Sequence, residues 1–186
     1  CRPKGKYSKD CHYNNALKFI ENFNQSIKYI LFIHKGSYYL TNTGGEKHFS
    51  NSKFRKLPLN LIQIENTLSY LKAIKELNSN LIFIGPHIEP NHNINRAFII
   101  NFLDKTIEDK SNYDLINVDE KLKERTKQSN VKYLSKIDIL DFKFEKDFIV
   151  DGNLTFSDTD HWNEFGEVYF GKKLIFNSIL KDVLFP

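Results

Sequence analysis

Leu81-Ile82-Phe83-Ile84-Gly85-Pro86 is the stretch that decides the fold. Four consecutive apolar residues predict a short strand that is buried on both faces, and the Gly-Pro pair predicts its abrupt end. A similar apolar run, Ile27 to His34, precedes it in the chain. Strands without alternating polar residues are typical of parallel sheets covered by helices on both faces.

Apolar residues at helical spacing flank these strands and predict helices over Asn14 to Asn24 and Leu57 to Leu77. Strands that alternate with helices define the α/β class, and we expect a mainly parallel sheet within a single domain over residues 1–186. The other predicted elements are helices over Asn95 to Ile107, Asp114 to Lys127 and Glu164 to Leu180, a strand over Val131 to Leu134, and a hairpin at Asp151-Gly152 within Phe148 to Phe156.

Charge and hydropathy exclude two classes of function. The net charge of +4 comes from scattered lysines and arginines without a basic block, so we expect no nucleic-acid partner. The longest apolar runs, such as Tyr29 to Ile33, are far shorter than the roughly 18 residues of a membrane-spanning helix. No basic start is followed by an apolar stretch, so no signal peptide is visible in the sequence, which opens at Cys1.

The two cysteines, Cys1 and Cys11, lie close together in a polar segment. Their spacing is compatible with a disulfide, which would stabilise the fold by roughly 2 to 3 kcal/mol in an oxidising compartment. Two free thiols, or a lipid-modified Cys1 at a mature terminus, are the alternatives.

Asp158 and His161 form the strongest chemical signal, three residues apart in a polar turn before the last predicted helix. A carboxylate on Nδ1 of an imidazole fixes its tautomer and leaves Nε2 to accept a hydroxyl proton, which is the chemistry of acid and base in serine-type acyl transfer. The alternative is a helix cap beside a surface histidine.

Other candidates follow the predicted strands, because ligands of parallel sheets bind beyond the carboxyl ends of the strands. Gly36 and Ser37 come after the first strand and His87 after the second, and we predict that they border the site. Ser37 is the best nucleophile within the chain, although an ordinary loop serine is the simpler interpretation. Trp162 beside His161 is predicted to stack on a sugar or to pack in the core.

Metal binding is the less favoured use of the remaining histidines. His34, His87 and His92 follow strands and could gather, but no spacing typical of metal ligands is present, so we expect no metal and no organic cofactor. Tyr38-Tyr39 is predicted either to pack in the core or to form a platform for a glycan.

The segment around the Asp-His pair also resembles a known family. Together with the positions of Cys1 and Cys11, the strand Ile27 to His34 and Leu81 to Pro90, it resembles the SGNH hydrolases, and in particular the SGNH domains fused to membrane acyltransferase-3 proteins that O-acetylate bacterial surface glycans. The residues that carry the resemblance are Ser157-Asp158-Thr159-Asp160-His161-Trp162-Asn163-Glu164-Phe165-Gly166, followed by Tyr169 and Leu174.

The resemblance implies a flavodoxin-like three-layer fold in which Asp158 and His161 are the acid and base of a Ser-His-Asp triad. It implies that Cys1 and Cys11 form a disulfide and that the compartment is periplasmic or extracytoplasmic. It also implies a membrane acyltransferase domain as acyl donor and anchor, and an envelope glycan as acceptor.

The sequence departs from the family pattern at three places. No Gly-Asp-Ser occurs, so we expect the serine and the first central strand in a segment upstream of Cys1, and we expect the domain to be incomplete without it. Lys35-Gly36 stands where many relatives carry Arg-Trp, and no Gly-x-Asn-Asp block is present. The oxyanion donors are therefore not identified by the resemblance.

These observations lead to the hypothesis of an O-acyltransferase, acting on hydroxyls of a cell-envelope glycan through Asp158, His161 and an upstream serine. A glycan or lipid esterase with the same triad is one alternative, because acceptor choice depends on how a pocket admits water. A non-catalytic glycan-binding module that keeps the SGNH-like fold is a second alternative. A flavodoxin-like or other α/β binding domain with an accidental Asp-x-x-His is a third.

Overall fold

A computed structural model describes residues 12–40, 57–102, 105–176, 180–181 and 185. The predicted Cys1–Cys11 disulfide lies outside these residues. The elements in chain order are α1 (Tyr13–Phe23), β1 (Ile30–Ile33), α2 (Leu61–Leu77), β2 (Leu81–Ile84), α3 (Ile94–Phe102), α4 (Asp114–Gln128), β3 (Lys132–Leu134), α5 (Lys136–Leu140), α6 (Phe144–Asp147), β4 (Ile149–Val150), β5 (Asn153–Leu154) and α7 (Glu164–Phe176).

The chain divides into two compact units. Among the described residues, the first comprises 12–40, 57–86 and 117–135, and the second comprises 87–102, 105–116, 136–176, 180–181 and 185. No linker or change in composition predicted this division, and the expectation of a single domain stays a prediction.

A parallel sheet in the order β1-β2-β3 forms the centre of the first unit. All four residues of β2 are buried, as the uninterrupted apolar run predicted. Helix α2 packs against both α1 and β2, and it begins at Leu61 rather than Leu57 because the side chain of Asn60 accepts a hydrogen bond from the Gln63 N–H at 3.0 Å. The predicted α/β class with a parallel sheet flanked by helices is confirmed.

Strand β1 is paired along one edge only within the described part of the chain. Its side chains alternate in burial, and Leu31 and Ile33 are 44% and 56% exposed. This differs from the prediction of a strand buried on both faces. Strand β1 is covered along the edge that pairs with β2 and on one of its two faces. The upstream strand expected from the family pattern lies beyond these residues and stays a prediction.

A buried carboxylate joins α4 to the end of β3 in the first unit. Asp119 is 1% exposed and accepts hydrogen bonds from the Tyr133 hydroxyl at 2.6 Å and the Ser135 hydroxyl at 2.7 Å, while Lys123 Nζ lies 2.9 Å away. The Tyr133 hydroxyl is 2.0 Å from where a Cβ on Gly85 would lie. A side chain at position 85 would therefore collide with this network.

The second unit contains α3, the short helices α5 and α6, the hairpin β4-β5 and α7. Helix α3 ends at Phe102, earlier than the predicted Ile107, because the chain turns back to pair Pro90 with Ser111. The Asn112 N–H also donates to the Glu89 carbonyl at 2.9 Å. Neither α5 nor α6 was predicted.

The predicted hairpin at Asp151-Gly152 is confirmed. Strands β4 and β5 are antiparallel, and both turn residues have positive φ, 49° for Asp151 and 76° for Gly152. Two consecutive left-handed residues match the twist of a hairpin, which is why Asp-Gly predicts it well. Behind it lies an aromatic core formed by Phe142, Phe144, Phe148, Phe156 and Phe170.

Helix α7 approaches the hairpin closely at Gly166. A Cβ at this glycine would lie 1.8 Å from the Thr155 carbonyl oxygen, which belongs to the backbone and has little freedom to move. Asn163 fixes the same junction, because its side chain donates to the Leu154 carbonyl at 2.7 Å and accepts from the Gly166 N–H at 2.8 Å. The start of α7 is therefore tied to the end of β5.

We expect Gly166→Ala to lower the free energy of unfolding by about 1 to 3 kcal/mol, since the added methyl group must push backbone apart. Gly171→Ala on the same helix is the matched control, because nothing lies within 4 Å of its added Cβ. It should raise stability by about 0.5 to 1 kcal/mol. Urea unfolding of both variants measures the difference, and equal effects of the two substitutions would contradict the close approach.

Candidate active site

Residues 155–163 form a narrow turn between the hairpin and α7. The Ser157 N–H donates to the His161 carbonyl at 2.9 Å, and the Asn163 N–H donates to the Thr155 carbonyl at 3.2 Å. Phe156 and Trp162 pair as an antiparallel bridge between them. The two sides of the turn are thus held by backbone hydrogen bonds, and the residues at its tip are those predicted as acid and base.

Asp158 and His161 meet in this turn. Oδ2 of Asp158 lies 2.8 Å from Nδ1 of His161. The other carboxylate oxygen, Oδ1, accepts from the backbone N–H of Asp160 at 2.9 Å and of His161 at 2.8 Å. One carboxylate therefore shapes the backbone and orients the ring, with Nδ1 as donor and Nε2 as the nitrogen that can accept a proton.

The hydrogen bonds to Asp158 change its acidity. Partial burial would raise the pKa of this carboxyl from 3.8, but the Asp160 N–H and the ring and N–H of His161 outweigh burial and lower the pKa to about 2. Asp158 is therefore ionised at neutral pH. An ionised partner stabilises the imidazolium that forms when Nε2 accepts a proton.

His161 is open to solvent, and its side chain is 72% exposed. Its Nε2 lies 3.8 Å from Oδ2 of Asp160, which is beyond hydrogen-bond distance. Asp158, Asp160 and His161 also form the one group within the described ranges whose ligand atoms lie close enough to hold a metal ion. The chemistry of two carboxylates and one imidazole would suit a divalent cation, although exposed acidic groups are common without one.

Beside the dyad, His87 and Trp162 pack together with ring centroids 4.9 Å apart. The indole of Trp162 also packs on Phe170 at 4.8 Å, so it is a packing residue on at least one face. Lys136 lies 3.2 Å from His87 through Nζ and Nδ1. Burial, and then the Lys136 charge, lower the pKa of His87 well below 6.5, so this ring is neutral.

The other sequence candidates lie in different surroundings. In the first unit, Gly36 and Ser37 begin a short 3-10 helix after β1, and their assignment to the substrate loop stays a prediction. His34 is buried and its Nδ1 is 2.9 Å from the hydroxyl of the fully buried Tyr39, which places Tyr39 in the core. In the second unit, His92 stacks on Phe144 with centroids 4.9 Å apart.

Lys136 is the residue that the sequence analysis missed. It is 7% exposed, and sequence composition alone gives no reason to expect a buried lysine. One signal was available, because Lys136 comes two residues after the end of β3 and therefore belongs to the carboxyl edge of a parallel strand.

The fold and the turn together define an α/β domain of flavodoxin-like type with an Asp-His pair before its last helix. No protein-family model matches the sequence, and no curated protein matches it. Among solved structures, the chain is similar to the periplasmic domain of the lipopolysaccharide acetyltransferase of Salmonella ser. Paratyphi A.

That similarity has a TM-score of 0.62 at 21% sequence identity, over 90% of this chain and 61% of the Salmonella domain. At such identity the likeness establishes a shared fold, in agreement with the fold that the sequence resemblance implied. The chain spans about three fifths of the length of the structure it matches. None of the described helices is long and apolar enough to cross a membrane.

The lowered pKa of Asp158 predicts how stability varies with pH. Because the folded pKa, about 2, is below the model-peptide value of 3.8, the ionised carboxylate stabilises the fold above pH 4, and this contribution is lost as the pH falls toward 2. A fully shielded group would contribute about 2 kcal/mol, but solvent screening of a half-exposed side chain reduces this to about 1 kcal/mol or less.

Asp158→Asn should therefore be less stable than the parent at pH 7 by about that amount, and the difference should vanish near pH 2. Asp151→Asn, at an exposed turn position that tolerates asparagine, serves as control. Thermal unfolding between pH 2 and 7 measures both. A stability difference between Asp158→Asn and the parent that stays constant from pH 2 to 7 would refute the lowered pKa of Asp158.

Proposed function

We propose that this chain forms most of an SGNH-type catalytic domain that transfers an acyl group, acetyl in the simplest form, to a hydroxyl of a bacterial cell-envelope glycan. The observation that carries this proposal is the 2.8 Å contact between Asp158 Oδ2 and His161 Nδ1, in a turn that the same carboxylate holds together. The shared fold with a lipopolysaccharide acetyltransferase domain supports the reaction and the class of acceptor.

The first half-reaction forms an acyl-enzyme. A serine in an upstream segment passes its hydroxyl proton to Nε2 of His161 as its oxygen attacks the carbonyl carbon of the acyl donor. Asp158 stabilises the resulting imidazolium. The tetrahedral intermediate then collapses, the bond to the leaving group breaks, and the leaving group takes the proton from His161.

The second half-reaction uses the same histidine with a different hydroxyl. A hydroxyl of the glycan gives its proton to Nε2 of His161 and attacks the acyl-serine, and the serine oxygen recovers the proton as it leaves. The exposed ring of His161 suits this step, because a glycan chain is bulky and must reach Nε2 from solvent.

The acyl donor in this proposal is a membrane acyltransferase domain, in the same polypeptide or in a partner chain. The reaction would then take place on the periplasmic side of the inner membrane, with this domain held there through its partner. The periplasmic origin of the similar Salmonella domain supports that location. This chemistry requires no metal ion.

Replacing His161 by Asn tests the base. We expect acyl transfer to the glycan to fall by about a thousandfold or more, because Nε2 of His161 is the base that accepts the serine proton in the proposed mechanism. His12→Asn is the matched control, since His12 is also exposed and asparagine tolerates its φ of 52°. Acylation of purified envelope glycan by the polypeptide that carries the serine is the measurement, and activity retained in His161→Asn would reject the proposal.

Ester hydrolysis is a second candidate function, favoured by the 72% exposure of the His161 side chain. Water can reach Nε2 as readily as a glycan can, and water attack would release the free acid. An assay of free acetate with and without glycan separates the two reactions. Release that is independent of glycan would identify an esterase.

Chelation tests whether the group Asp158, Asp160 and His161 acts through a metal ion instead. In the proposed mechanism Nε2 of His161 is a base, so dialysis against EDTA should leave the rate unchanged. A rate that falls on chelation and returns with Zn²⁺ or Mn²⁺ would show that the reaction needs a cation, and these three residues would be its candidate ligands.

A further inference from the structure

Helix α7 is apolar on two sides, and the described part of the second unit covers one of them. On the inner side, Phe170 is fully buried and Gly166 touches the hairpin backbone, so this side packs on β5 and on α5. A helix that is apolar all round is normally buried all round. The outer side nevertheless exposes four large apolar side chains: Phe165 (37%), Val168 (54%), Ile175 (59%) and Phe176 (80%).

These four side chains form one stripe along the helix, here called the outer stripe. Successive residues of an α-helix turn by about 100°, so residues seven positions apart lie almost above one another. Val168 and Ile175 have this spacing, and Phe165 and Phe176 follow within about a third of the helix circumference. Each phenylalanine carries about 150 to 250 Å² of surface. The outer stripe is therefore a contiguous apolar patch, which is the kind of surface that marks an interaction site.

Charged residues of opposite sign accompany the outer stripe at its two ends. Glu164 is exposed in the first turn of α7, and Lys172 is exposed in the C-terminal half. Within α7, neither has a residue of opposite charge three or four positions away, so neither is paired along its own helix. The helix dipole favours an acidic start and a basic end, but it does not account for the apolar residues between them.

We propose that the outer stripe is an interface between two copies of this chain, which pair about a two-fold axis that crosses the middle of α7. Two helices related by such an axis run antiparallel. The Glu164 end of each helix then meets the Lys172 half of the other, while the apolar side chains pack across the axis. A parallel pair would place like charges together, which opposes association. This inference does not depend on the proposed acyl transfer.

A membrane surface fits the outer stripe less well than a second copy does. Helices that lie on anionic lipid are rich in lysine and arginine on their polar face. The first turn of α7 instead carries Glu164 and Glu167, which a negatively charged lipid surface repels. A second copy of α7 supplies both the apolar partner and the opposite charge at each end.

The association of the 186-residue chain tests the interface. We expect dimers with a micromolar Kd, because four apolar side chains per copy make a smaller interface than that of tight dimers. Sedimentation velocity over roughly 1 to 300 μM measures this Kd. Val168→Glu should raise it about a hundredfold, because two like charges then lie near the axis. Ile99→Glu is the matched control, since Ile99 on α3 is 56% exposed, and it should keep the parent Kd.

Exchanging the two charges tests the antiparallel direction, and these variants serve if Val168→Glu fails to fold. Glu164→Lys and Lys172→Glu should each raise the Kd about tenfold, because each replaces attraction by repulsion at both ends of the interface. The double variant restores attraction between the copies, so its Kd should return to within about threefold of the parent value. The helix dipole cannot produce this rescue, because both exchanges oppose it.

Three results would overturn the proposal. A parent chain that stays monomeric over the whole concentration range refutes the dimer, and binding to vesicles of phosphatidylglycerol and phosphatidylethanolamine would then identify lipid as the occupant. A Kd that Val168→Glu leaves unchanged refutes the outer stripe as the interface. A double charge variant that associates no better than the single variants refutes the antiparallel pairing.

Discussion

The carboxylate of Asp158 organises the turn on which the candidate site depends. One of its oxygens is committed to two backbone N–H groups, and the other is committed to the His161 ring. The backbone bonds to Asp158 close the turn, and the closed turn brings the His161 ring to the other oxygen of the same carboxylate. Because the same bonds lower the pKa of Asp158 to about 2, the charge needed beside an imidazolium follows from the geometry of the turn.

The turn is itself held by the way α7 begins. Gly166 allows the helix to touch the Thr155 carbonyl, and Asn163 satisfies a carbonyl on one side and an N–H on the other. These contacts join backbone to backbone directly or through one short side chain, so the start of α7 has little freedom to move relative to the turn. An exposed histidine can thus be well positioned although few atoms surround it.

Electrostatic control in the second unit follows from unequal burial. Asp158 is half exposed and ionised, whereas His87 is buried and neutral and Lys136 is buried and charged at neutral pH. Contact with water would bring the pKa values of buried groups back toward their ordinary values. The neutral state of His87 therefore depends on its packing against Trp162 and Phe156. In the proposed reaction, the exposed His161 exchanges protons while Asp158 beside it stays ionised.

The sequence by itself determined the elements whose signals are local. The apolar run of β2, the Asp151-Gly152 hairpin and the pairing of Asp158 with His161 all depend on residues within a few positions of each other, where spacing and backbone preference suffice. Only the tertiary structure decided the early end of α3, the existence of α5 and α6 and the burial of Lys136. Each of these depends on segments distant in sequence, such as Pro90 against Ser111 and Lys136 against His87. Such contacts form when the chain folds back on itself, and no periodicity in the sequence records them.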